Sequence, residues 1–96
     1  MITIRLFEKA GSFAENKDLA RDIRKNEIIP ALEENQDVVL DFESVEATTQ
    51  SFVHALISDL IRTYGHEILD RISFKSCNET TQKIITIVSE YMQESD

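Results

Sequence analysis

Glycine, proline and cysteine are all scarce in this chain, and their shortage excludes several kinds of structure and function. There are two glycines, one proline and one cysteine among 96 residues. Two glycines cannot form the glycine-rich loops that cradle phosphates, which excludes nucleotide binding through the usual motifs. The single cysteine, Cys77, cannot form an intrachain disulfide, which favours a reducing compartment. We interpret Cys77 as a small, half-buried apolar residue that follows a strand.

Positive charge is also in short supply. Ten Lys and Arg residues stand against eighteen Asp and Glu residues, which gives a net charge of −8. The one basic cluster consists of Arg21, Arg24 and Lys25, and acidic residues are interleaved with it. This spacing predicts intrahelical ion pairs on a solvated helix face. Nucleic-acid binding needs a basic patch, so the composition argues against it. No apolar run is long enough to span a bilayer and no signal-peptide pattern begins the chain, so we expect a cytoplasmic protein.

An alternation of strand-like and helix-like patterns fills the chain. The patterns predict strands at 2–7, 37–42 and 72–74, and helices at 17–34, 49–64 and 79–93. Pro30 lies inside the first helix, where its missing amide donor predicts a kink or a break near Ile29. Alternating strands and helices indicate an α/β fold with a small, mostly parallel sheet of three to four strands. We expect one domain spanning residues 1–96.

The second predicted helix has the clearest pattern in the chain. Its apolar residues form a stripe wide enough to lie on a sheet; they are Phe52, Val53, Leu56, Ile57, Leu60, Ile61 and Tyr64. Thr48 or Thr49 supplies a hydroxyl cap at the start of this helix, and Gly65 ends it. The apolar run at 38–42 before it is typical of a strand buried on both faces of a parallel sheet.

Residues 38–57, VVLDFESVEATTQSFVHALI, combine an apolar strand ending in Asp-Phe, a short acidic turn and a hydroxyl-rich helix start. This pattern resembles the STAS-like family of small bacterial domains (the DUF4325 type), distantly similar to anti-sigma-factor antagonist STAS domains. The resemblance implies a strand order of 2-1-3, with a crevice at the C-terminal strand ends. It also implies a non-enzymatic protein–protein interaction domain in bacterial signalling, with a histidine-kinase-like ATPase or another regulator as its partner.

The resemblance places partner binding at the start of the second helix and the turn before it. The residues assigned to this surface are Asp41, Glu43, Thr48, Thr49, Gln50, Ser51 and His54. STAS antagonists are phosphorylated on a hydroxyl of this turn, and an ungapped alignment puts Gln50 at that position. Thr48, Thr49 and Ser51 are then the remaining candidates for phosphorylation. A phosphate there would be repelled by the neighbouring carboxylates and would release the partner. The acidic surface fits a partner that bears Arg or Lys.

Other functions remain open from the residues alone. A small sheet needs its edges covered, so a structural homodimer, or a subunit that completes its sheet with a partner, is one alternative. Ser51 and His54 share a helix face, as a small hydrolase would need, but no nucleophile-elbow glycines accompany them. His54, His66 and Cys77 match no short zinc spacing. We therefore expect no catalytic residue, no metal and no cofactor.

Overall fold

The computed structural model describes residues 1–94. Its strands are β1 (Ile2–Arg5), β2 (Phe13–Ala14), β3 (Val38–Asp41), β4 (Ala47–Thr48) and β5 (Ile72–Lys75). Its α-helices are α1 (Leu6–Ala10), α2 (Lys17–Ile23), α3 (Ile29–Glu33), α4 (Gln50–Tyr64) and α5 (Glu79–Glu94). A π-helical turn (Arg24–Ile28) joins α2 to α3, and a 3₁₀ helix (His66–Arg71) precedes β5. Within residues 1–94, no helix has both the length and the apolarity to cross a membrane.

The three longer strands form one parallel sheet in the order β1–β3–β5. The expected order 2-1-3 is therefore wrong, because the second long strand, and not the first, lies at the centre. The side chains explain this: Val38 and Leu40 of β3 are fully buried, whereas Thr3 and Arg5 of β1 are exposed and suit an edge strand. Without a reversal in strand order, the crevice expected at a topological switch point is absent from the described sheet.

The sheet is covered on one face only. The connection from β1 to β3 contains α2, the connection from β3 to β5 contains α4, and both step across the sheet in the same direction. Right-handed connections therefore place α2 and α4 on the same face, where the two helices pack against each other. On the opposite face, Thr3 and Ser73 are exposed and Val39 between them is half-buried. The prediction that residues 38–42 are buried on both faces is wrong at Val39, although the strand itself is confirmed.

The first long helix begins at Lys17 as predicted and ends at Glu33, one residue before its predicted end, and Pro30 shapes its second half. The Ile29 amide donates to the Arg24 carbonyl five residues back, which is a π-helical bond. Proline at position 30 can donate no such bond and crowds the preceding turn, and a widened turn relieves that crowding. The predicted kink is therefore a π-helical turn. Asn16 caps the start of α2 by accepting from the Asp18 and Leu19 amides.

Helix α4 supplies the centre of the core. Six of its seven predicted stripe residues are buried, and the exception is Tyr64, which is exposed at the last turn. Gly65 follows with φ +88°, a backbone conformation that glycine adopts without strain, and it ends the helix as predicted. In α5, Ile85, Val88 and Met92 are buried and pack on this core.

Four short elements were not predicted: α1, β2, β4 and the 3₁₀ helix before β5. The strand expected at 2–7 ends at Arg5, because residues 6–10 turn into α1 and bury Leu6. Gly11, with φ +75°, reverses the chain after α1. Strands β2 and β4 then pair in parallel, with Phe13 opposite Ala47. This small second sheet fixes the backbone immediately before α4.

Candidate functional site

Strand β2 holds the backbone at the start of α4 in place by accepting hydrogen bonds from it. Thr48 is only 6% exposed, and its hydroxyl donates to the Ala14 carbonyl at 2.8 Å. The Thr49 amide donates to the same carbonyl, and the Thr49 hydroxyl accepts from the Phe52 amide at 3.1 Å. Thr49 is thus the helix cap, as one of the two sequence alternatives proposed, and Thr48 lies inside the protein.

The turn before α4 is connected to α5 through Asn78. The Asn78 side-chain amide donates to the Glu46 carbonyl at 2.7 Å, and its oxygen accepts from the Thr81 amide at 2.8 Å. One side chain therefore caps α5 and ties it to the turn that precedes α4. The three helices α2, α4 and α5 are held in a fixed arrangement, because α4 packs against both of the others.

A groove of about 590 Å³ runs along the outer face of α4. Its floor consists of Ser51, His54, Ala55 and Ser58, with Gln50 at one end. These four floor residues follow an i, i+3, i+4, i+7 spacing, which places them on one helix face. Gln50 and Ser51 are exposed and His54 is half-buried. Three of the seven predicted partner-binding residues, Gln50, Ser51 and His54, are therefore brought together in this groove.

The two walls of the groove differ in chemistry. Helix α2 and the turn after it contribute Lys17, Arg21 and Arg24, and we call these residues the basic wall. Helix α5 contributes Ile87, Val88 and Tyr91, which we call the apolar wall.

Sequence reasoning missed both walls, although each had a signal in the sequence. The three cations lie at i, i+4 and i+7 on one side of a helix. Ile87 and Tyr91 lie beside the buried stripe of α5 without belonging to it.

Arg24 is not on a solvated face, so the prediction for the basic cluster is wrong at this residue. Its side chain is 6% exposed, and its guanidinium contacts Asp59 of α4 at 3.1 Å. It also donates to the Ala55 carbonyl at 2.7 Å. The π-helical turn begins at Arg24 and directs this residue toward α4. By contrast, Arg21 pairs with Asp18 one helical turn earlier, as the sequence predicted.

Positive charge is in excess along the groove, although the whole chain is negatively charged. Three cations line it against one carboxylate, Asp59, while the chain carries −8. Arg62 also contacts the Asp59 carboxylate at 2.9 Å. Lys17 makes no ion pair within residues 1–94, and Arg21 pairs only with the exposed Asp18. The basic wall therefore has two cations available to a negatively charged partner.

Asp41 and Glu43 do not lie in this groove. They line a separate cavity of about 280 Å³ together with Arg5, Phe7, Glu8 and Ser44. Asp41 is buried, and its carboxylate accepts from the Glu43 amide at 2.9 Å, which stabilises the turn after β3. Ser44 has φ +70°, a conformation that favours glycine. The seven predicted residues thus divide between the groove, the second cavity, the helix cap at Thr49 and the protein interior, where Thr48 lies.

Cys77 is half-buried against the core, as predicted. Burial raises the pKa of its thiol, and the negative charge of Asp41 raises it further. A raised pKa keeps the thiol protonated and unreactive at neutral pH. In the described part of the chain, His, Cys, Asp and Glu side chains form no group of three or more that could hold a metal ion.

The sequence model of the family described as "STAS-like domain of unknown function (DUF4325)" matches residues 20–82. The chain belongs to this STAS-like family. Neither the curated proteins nor the solved structures contain a significant match to the chain. The matched region of the STAS-like domain begins inside α2 and ends in the first turn of α5, so it includes the whole floor of the groove.

Proposed function

We propose that this STAS-like domain is a non-enzymatic protein–protein interaction domain, and that its partner docks on the groove along α4. One observation carries the proposal: the exposed start of α4 opens onto a groove with one basic and one apolar wall. Ile87 and Tyr91 of the apolar wall are 48% and 60% exposed. Large apolar side chains grouped at a concave surface with a charged rim are typical of protein interaction sites.

The proposed setting is bacterial signalling, in the cytoplasm. The support is the family resemblance to anti-sigma-factor antagonists, whose regulatory turn corresponds to the start of α4. A histidine-kinase-like ATPase or another regulator is the partner that this resemblance suggests. The expected partner bearing Arg or Lys does not fit this groove: a partner that docks here presents negative charge to α2, since Lys17 and Arg21 line that side. Glu43 stands apart from the groove and is a second, peripheral contact in this proposal.

Phosphorylation at Ser51 is the regulation that fits this arrangement. Ser51 is exposed on the groove floor, whereas Thr48 is buried and Thr49 caps the helix. A phosphate on Ser51 would bring a charge of about −1.5 to −2 next to the basic wall. It would occupy the cations that the partner needs, and the partner would dissociate. Repulsion by Asp41 and Glu43 has little part in this, since they line the other cavity.

Site-specific photo-crosslinking in the cell that expresses the protein tests the proposal. With Ser51 replaced by p-benzoylphenylalanine, we expect a covalent adduct with one particular protein. Replacement of Glu34, an exposed residue outside the groove, provides the control and should not yield that adduct. Adducts at both positions in similar amounts, or none at position 51, would contradict docking on the groove.

A second candidate function is favoured by the uncovered sheet. Parallel sheets are normally covered on both faces, yet here the face that carries Thr3, Val39 and Ser73 is open. In this alternative the chain is a structural subunit whose sheet packs against a second copy. The same crosslinker at Ser73 then produces a homodimer on a denaturing gel, and light scattering shows twice the mass of the chain at micromolar concentration. A monomer by both measurements removes this candidate.

A further inference from the structure

The floor of the groove along α4 is made of small side chains at helical spacing. Ser51, Ala55 and Ser58 are interrupted only by His54. Small side chains on one face of a helix let a second helix approach closely, as ridges of one helix enter the grooves of another. The accessible part of the floor runs from Ser51 to Ala55, about one helical turn or roughly 6 Å, because Ser58 at its far end is 3% exposed. The floor therefore fits a rod-shaped element lying along α4.

The walls define which side chains such an element carries. On one side it meets Lys17 and Arg21, whose charges are available, while Arg24 is already bound to Asp59 and the Ala55 carbonyl. On the other side it meets Ile87 and Tyr91, both exposed. A complementary helix thus has an acidic stripe beside an apolar stripe. Amphipathic helices that dock in grooves through anchors at i, i+3 or i+4, and i+7 have this form.

We propose that the groove binds an amphipathic helix of a partner protein, with its apolar stripe on the α5 wall and its Asp or Glu residues on Lys17 and Arg21. This inference rests on the proposed function and names the structural element that the partner supplies. The helix lies along α4 over Ser51 and Ala55. Because attraction between exposed charges contributes to binding, the affinity falls as salt rises.

A displayed library of single helices tests the inference without knowledge of the natural partner. The library keeps an apolar stripe constant and varies all flanking positions, and the full chain is the bait. We expect the enriched helices to carry Asp or Glu next to the apolar stripe. Synthetic peptides of the enriched sequences are then labelled with fluorescein and measured by anisotropy. Arg21→Glu should weaken their binding at least tenfold.

Lys25→Glu is the matched control, since it makes the same change of charge at an exposed residue that does not line the groove. It should change binding less than twofold. Ile87→Ser should weaken binding at least fivefold, and unfolding curves of all three variants exclude loss of the fold as the cause. The inference is overturned if no helix is enriched, if the enriched helices show no acidic preference, or if Lys25→Glu weakens binding as much as Arg21→Glu.

A second copy of the chain is the competing occupant. Sedimentation equilibrium distinguishes it: a dimer that Arg21→Glu abolishes would place a second copy in the groove and overturn the inference. The proposed function fails by a different result, namely the absence of a crosslinked partner at Ser51. If a partner is crosslinked there but contacts the groove through a segment that is not an acidic helix, only the present inference is wrong.

Discussion

At the residue scale, the chemistry of single side chains was predictable where it depends on local sequence. Thr49, Asn16 and Asn78 cap helices because short polar side chains satisfy free amides at a helix start, and Thr49 was one of the two caps predicted for its helix. Arg24 was misassigned because its partners, Asp59 and Ala55, are more than thirty positions away. Thr48 was assigned to the surface although its hydroxyl donates to a carbonyl of β2, a strand too short to recognise.

Replacing Arg24 tests whether this residue joins α2 to α4. Arg24→Met removes the ion pair between the buried guanidinium and the half-exposed Asp59, and it leaves the Ala55 carbonyl without its side-chain donor. We expect the free energy of unfolding in urea to fall by about 2 kcal/mol, since hydrogen bonds to charged groups contribute about 1.5–3 kcal/mol. Arg21→Met removes an exposed pair and should lower stability by less than about 1 kcal/mol. Equal losses for the two variants would contradict the structural role of Arg24.

The raised pKa of Cys77 predicts a pH dependence of alkylation. In the folded chain the half-maximal rate of reaction with iodoacetamide should occur at a higher pH than in the urea-unfolded chain, because burial and Asp41 both disfavour the thiolate. The neutral thiol stabilises the fold below the unfolded pKa of about 8.5, and this contribution is lost as the pH rises through the folded pKa. If the pH of half-maximal alkylation in the folded chain is at or below that in the unfolded chain, the raised pKa of Cys77 is contradicted.

At the element scale, the longer helices and strands follow from periodicity, and their bounds from caps, glycine and proline. The π-helical turn has a sequence signal in retrospect. Ala20, Arg24, Ile28 and Leu32 are all buried and lie four residues apart, whereas an α-helix repeats every 3.6. A regular helix would rotate the later residues away from the core, and one wider turn corrects the drift. Strands β2 and β4 have two residues each, which is too short for an alternating pattern to be visible in the sequence.

Two substitutions at the start of α4 test which residue caps the helix. Thr49→Ala removes the acceptor of the Phe52 amide and should lower stability by about 1 kcal/mol, the usual cost of losing a cap. Ser51→Ala should change stability by less than about 0.5 kcal/mol, since Ser51 is exposed. Urea unfolding of both variants and of Thr49→Ser, which retains a hydroxyl, is the measurement. A larger loss for Ser51→Ala than for Thr49→Ala would contradict the capping assignment.

At the scale of the whole molecule, the α/β class and the parallel sheet were predictable, but the strand order and the groove were not. The expected order came from the STAS resemblance, whereas the observed order depends on which strand tolerates burial, and Arg5 of β1 is exposed at the edge. The groove depends on how α2 and α5 sit on either side of α4. That placement follows from packing between residues far apart in sequence, such as Arg24 with Asp59 and Asn78 with Glu46.

The central claim is that the outer face of α4 is the surface on which a protein partner docks. Amide NMR of the ¹⁵N-labelled chain, titrated with the protein crosslinked at Ser51, tests it most directly. We predict that the shifts concentrate at the groove, in the amides of Arg21, Ser51, Ala55 and Ile87, and leave Thr3 and Ser73 on the open sheet face unchanged. Shifts confined to the sheet face, with the amides of α4 unmoved, would contradict the claim.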